Sequence, residues 1–84
     1  MNKDRFTAVF RWHKRKGEVD LDIPYDISAN ELIVALNHAF ALGMNVEDLS
    51  KCHLKTENPI ALLRGNKLLS DYRLRDGTVI NFTL

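Results

Sequence analysis

One stretch of this chain carries helical periodicity, and the other patterned stretches alternate. Leu32, Ile33, Leu36, Ala39 and Phe40 recur as a single stripe, with Asn30, Asn37 and His38 off it. Ser28-Ala-Asn-Glu31 just ahead reads as a capping box: the Ser28 hydroxyl accepts from the Glu31 amide, and the Glu31 carboxylate reaches back. Ile27 and Leu32 have the spacing of a hydrophobic staple, and Gly43 is a natural left-handed stop. These signals predict one helix over residues 29–42. A lone amphipathic helix must bury its stripe against something else, and the rest of the chain offers only strands.

Residues 5–12 alternate, with Phe6, Ala8, Phe10 and Trp12 on one face and Thr7, Val9 and Arg11 on the other. Val19, Leu21 and Ile23 alternate in the same way with Glu18, Asp20 and Asp22, up to Pro24. His13-Lys-Arg-Lys-Gly17 between them is a short polar connection, so the two strands form a hairpin. Beyond the helix, 51–56 and 60–63 read as short strands around an Asn58-Pro59 turn, and Gly65-Asn66 marks another turn. Leu69-Ser-Asp-Tyr72 reads as one helical turn. Asp76-Gly77 leads into a last strand with Ile80, Phe82 and Leu84 facing in and Val79, Asn81 and Thr83 facing out. The order β-β-α-β-β-β predicts an α+β fold, a β-grasp, with a mixed sheet packed on one helix.

A chain of 84 residues is expected to form a single domain over 1–84, because a second core could not be built from so little material. A formal charge of +1 argues against a dedicated nucleic-acid binder. No apolar run approaches the roughly 18 residues of a membrane span. Phe6–Phe10 is too short for the apolar section of a signal peptide. The single cysteine, Cys52, has no internal partner, which fits a reducing compartment; the expected location is cytoplasmic.

Catalytic and metal chemistry find little support. His13, His38 and His53 lie in a turn, on the helix and on a strand, without ligand spacing. Cys52 and His53 are adjacent, and successive strand residues point to opposite faces, so they form no nucleophile–base pair. No phosphate-cradling loop is present. The expectation is therefore no catalytic residue, no cofactor, no metal and no small-molecule substrate.

Charge is more informative. Arg11, Lys14, Arg15 and Lys16 crowd the hairpin tip, and Glu18, Asp20, Asp22 and Asp26 follow. The plain account is a solvated turn beside a neutralising strand face. The functional account is a basic knob that docks on an acidic partner protein. Trp12, the one tryptophan, stands beside it and either caps the core edge or anchors an interface. Arg11, Trp12, Lys14, Arg15 and Lys16 are thus the candidate interaction surface. An open sheet edge also leaves room for weak homodimerisation.

At LLSDYRLRDGTVINFTL the chain resembles ubiquitin: Leu69-Ser-Asp-Tyr72 matches, and Leu74, Ile80 and Phe82 fall on ubiquitin's inward positions without a gap. Ubiquitin continues into a Gly-Gly tail, whereas Leu84 closes this sequence, so conjugation is not expected. Asn81 and Thr83 replace the His and Val of ubiquitin's recognition patch. The closer resemblance is to the YukD/EsaB-type ubiquitin-like proteins of bacterial type VII (WXG100) secretion systems. Gly17, Asp20-Leu-Asp-Ile-Pro24, Leu54-Lys-Thr56, Leu68–Tyr72 and Leu74–Ile80 carry it. It implies a cytosolic, non-conjugated accessory or regulatory protein whose partner is the membrane ATPase or another membrane component of the machinery. The alternative is a small β-grasp effector subunit of a multicomponent oxygenase.

Overall fold

The computed structural model describes residues 4–83. The inward placement expected for Leu84, and whatever the first three residues do, lie outside them. β1 (Arg5–Trp12) and β2 (Gly17–Pro24) form the expected antiparallel hairpin, with Trp12 opposite Gly17. α1 (Ala29–Phe40) crosses one face, and β3 (Leu54–Glu57), β4 (Ala61–Leu63) and β5 (Val79–Phe82) complete the sheet. The strand order is β2-β1-β5-β3-β4, with β1 and β5 parallel and the other pairs antiparallel. This is the β-grasp that the sequence pattern predicts.

The core lies between α1 and the inner face of the sheet. Phe6, Ala8, Phe10, Ile23, Leu54, Leu63, Ile80 and Phe82 meet Ala29, Leu32, Ile33 and Leu36 there. The capping box forms as expected: Glu31 N–H donates to Ser28 Oγ at 3.0 Å, and Ser28 N–H donates to Glu31 Oε1 at 3.1 Å. The Leu69–Tyr72 3₁₀ turn is sewn to the segment before the helix. Leu69 N–H reaches Ile27 O and Ser70 N–H reaches Tyr25 O, while the Tyr72 hydroxyl donates to Arg64 O. Main-chain bonds of this kind explain why a short Leu-Ser-Asp-Tyr run closes the fold.

Several boundaries differ from expectation. α1 ends at Phe40, two residues early, because Ala41 takes the left-handed conformation (φ 52°). Its N–H and that of Leu42 both converge on Asn37 O, and the Asn37 amide grips the Met44 main chain at 2.9 and 3.3 Å. Ala39, read as part of the stripe, is exposed. The third strand starts at Leu54, not Lys51. Asn45 caps a kinked 3₁₀ segment, Val46–Lys51, by accepting from Glu47 N–H; such local bonds compete with strand formation. Cys52 and His53 therefore precede the strand, yet they still diverge, Cys52 buried and His53 exposed. Ile60 belongs to the turn, and β4 begins at Ala61. Val19 has inward parity but is 41% exposed, whereas Ile23 on the same strand is buried.

Asn81 departs most from its expected place. It faces away from α1, as predicted, but is only 8% exposed. β5 is the central strand, so the side chains of β1 and β3 cover it from both sides.

Candidate interaction surfaces

The hairpin tip is built by a 3₁₀ turn, His13–Arg15, closed by Lys16 in the left-handed conformation (φ 52°), whose N–H donates to His13 O. This places the Lys14, Arg15 and Lys16 side chains outward, and all three residues are exposed. Among the described residues neither Lys14 nor Lys16 has an ion-pair partner. The Arg15 guanidinium lies 4.5 Å from the centre of the Trp12 ring. A cation over an indole face is attracted by the ring quadrupole, about 0.5–1 kcal/mol when exposed, so Arg15 is held against the domain.

Trp12 and Arg11 part company from the tip. Trp12 is half-buried against the core, its ring edge-on to Phe82 at 6.2 Å between centroids, and its Nε1 is buried without a hydrogen-bond partner. Arg11 lies on the outer sheet face, bound to acids on both sides: Nε donates to Glu18 Oε2 at 2.7 Å, and Nη1 is 3.5 Å from Glu57 Oε2. The five residues grouped from sequence thus occupy three places: an exposed basic tip, an aromatic beneath it and a cation tied into the sheet.

The tie extends further. Asn81 Nδ2 donates to Glu57 Oε2 at 2.9 Å, which leaves its Oδ1 to accept from His13 Nε2 at 2.8 Å. The ring nitrogen of His13 that carries the hydrogen is therefore Nε2. Side chains of β2, β1, β3 and β5 and the hairpin turn form one polar belt: Glu18, Arg11, Glu57, Asn81, His13. It anchors the base of the tip to the central strand.

A second surface went unnoticed in the sequence. A groove of about 580 Å³ opens over β3, β4 and β5, lined by His13, Glu57 and Asn81 of the belt together with Lys55, Leu62 and Thr83. Ile60 on its rim is 91% exposed and Leu62 is 42% exposed. The signal was present: Ile60-Ala-Leu-Leu63 is apolar on both faces, and an edge strand has a core on one side only.

Among the described residues no group of three or more His, Cys, Asp and Glu side chains could hold a metal ion. Among them, too, no helix is long and apolar enough to cross a membrane.

Solved structures of ubiquitin-like domains share this architecture. A ubiquitin-like domain from Tubulin-binding Cofactor B matches with a TM-score of 0.72 at 18% identity, covering 93% of this chain and 87% of that one. The C-terminal ubiquitin-like domain of mouse tubulin-specific chaperone e gives 0.70 at 12% identity, covering 96% and 87%. A designed protein based on ubiquitin gives 0.66 at 16% identity, covering 95% and 88%. Identities this low show the fold alone. No curated protein matches the chain significantly. The family described as WXG100 protein secretion system (Wss), protein YukD, matches residues 9–81. That span runs from β1 through β5, taking in the hairpin tip, the helix and the Leu69–Tyr72 turn, and the chain belongs to the YukD family of WXG100 secretion-system proteins.

Proposed function

We propose that this chain is a non-catalytic, non-conjugated accessory protein of a WXG100 secretion system, acting in the cytoplasm by docking on a membrane component of the machinery. A membrane ATPase is the partner that the sequence resemblance favours. The family match supports the setting and weighs against the oxygenase-subunit alternative. The observation that carries the docking mode is the basic tip: Lys14, Arg15 and Lys16 project together from a base fixed by the polar belt. Three basic side chains near an anionic bilayer would supply only about 3 kcal/mol, weak attachment, so an acidic protein surface suits them better.

Reversing the tip with Lys14→Glu, Arg15→Glu and Lys16→Glu tests the reading in the native host. The expected result is lost secretion of WXG100 proteins with little change in thermal stability, since exposed substitutions usually stay within about 0.5 kcal/mol each. Normal secretion by a stably folded triple variant would refute the docking role of the tip.

A further inference from the structure

The parity of β1 decides which residues of β2 have free main-chain groups. Val9 N–H reaches Thr78 O at 2.8 Å and Gly77 N–H reaches Thr7 O at 2.9 Å, so odd-numbered residues of β1 turn toward β5. Even-numbered ones therefore serve β2. The register places Phe6 opposite Ile23, Ala8 opposite Leu21 and Phe10 opposite Val19. Val19, Leu21 and Ile23 thus spend their main-chain groups inward, and Glu18, Asp20 and Asp22 turn theirs outward, at the end of the sheet. Pro24, which has no N–H, falls on the same outward set. The Asp22 carbonyl accepts from Arg5 at 3.2 Å, which leaves the edge open chiefly around Glu18 and Asp20.

The side chains along this edge are sorted by face. On the outer face Glu18 pairs with Arg11 and Asp22 with Arg5, while Asp20 has no ion-pair partner among the described residues. On the helix side a slot of about 240 Å³ opens between β2 and α1, lined by Phe10, Trp12, Val19 and Phe40 together with Arg15 and Glu18. We propose that the free edge of β2 receives an extended segment of a partner protein, with basic side chains at alternate positions and apolar ones between them. Donors and acceptors repeating every second residue match another extended backbone. Basic side chains would sit across from the acidic row, a favourable cross-strand pairing, and the apolar ones would enter the slot.

A second copy is a poor occupant. Antiparallel pairing of two β2 edges about a twofold axis keeps each face on its own side. It sets Glu18, Asp20 and Asp22 against the same residues of the other copy, and like charges directly opposite repel. The acidic row thus guards against self-pairing while admitting a basic strand. The slot ends at Trp12 and Arg15 and so adjoins the basic tip, whereas Lys14 and Lys16 lie outside it, and docking through those two lysines can fail without this site.

The test is a titration of the whole isotope-labelled protein with acetyl-Val-Lys-Val-Lys-Val-Lys-amide and with its glutamate counterpart, followed by amide NMR. The lysine peptide is expected to shift the amides of Glu18 and Asp20 and the Val19 methyls, and to slow amide exchange at Asp20. Its dissociation constant should lie below about 1 mM, weakening with salt, and the glutamate peptide should bind at least about tenfold more weakly. Asp20→Pro removes an outward N–H and a charge but no bond to β1, and should weaken the lysine peptide about tenfold. Should that variant misfold, Asp20→Lys keeps the N–H and should shift preference toward the glutamate peptide. Lys14→Glu, Lys16→Glu, which leaves the slot's Arg15 in place, should still take the lysine peptide at β2. Absence of shifts at about 1 mM peptide, equal binding of both peptides, or shifts confined to another surface would each overturn the proposal. So would concentration-dependent protection of Asp20 in the protein alone, which would assign the edge to a second copy.

Discussion

Replacing Thr78 by valine tests how the sheet's central strand is locked to the turn beside it. Thr78 is fully buried. Its Oγ1 donates to Asn58 O at 2.9 Å and accepts from Arg75 N–H at 3.0 Å, joining the turn before β5 to the turn between β3 and β4. The main-chain bonds of the residue, from Val9 N–H and to Arg75 O, do not involve the side chain. Valine keeps the shape and the β-branch, so the loss reduces to two hydrogen bonds, each worth about 1 kcal/mol net. Both bonds are part-buried and the freed groups belong to exposed residues, which puts the cost at about 1–2 kcal/mol. For a chain of this size, that is a fall in Tm of about 4–16 °C. Thermal and urea unfolding should show it with an unchanged m-value, because the surface exposed on unfolding is the same. The Arg75 amide should also exchange faster. A variant as stable as the parent, with Arg75 still protected, would refute the role given to this hydroxyl.

Other substitutions probe the remaining parts. Ser28→Ala removes the acceptor at the start of α1 and should cost about 1 kcal/mol, read by urea unfolding. Ala41→Gly should stabilise by about 0.5–1 kcal/mol, because alanine there bears a left-handed strain that glycine does not; a loss of stability would contradict the helix end described above. Ile60→Ser should change Tm by no more than about 4 °C, given its 91% exposure, whereas Phe6→Ala should cost about 3–5 kcal/mol from the core.

The fold was legible because its signals are local and agree with one another. The capping box, the alternation of β1 and the Leu-Ser-Asp-Tyr turn each formed where the residues predict. Misplaced boundaries have specific causes. Asn37, read only as a residue off the stripe, ends α1 through bonds to Met44, and Asn45 caps a turn where a strand was expected. Neither side chain announces its partner in sequence. Asn81 shows the same limit at the surface, since outward parity says nothing about which strands flank it. The split of Arg11 from Lys14, Arg15 and Lys16 needed the positions of Glu18 and Glu57, which sit on β2 and β3.

The central claim is that this YukD-family chain works by direct contact with the secretion machinery through its basic tip. Site-specific photo-crosslinking from position 14 in living cells tests it most directly, because that side chain is exposed and anchored at its base. The account predicts a crosslink to a membrane component of the WXG100 system that is lost when the probe is moved to Val34 on the outer side of α1. A crosslink to a soluble oxygenase complex, or equal yields from both positions, would contradict it.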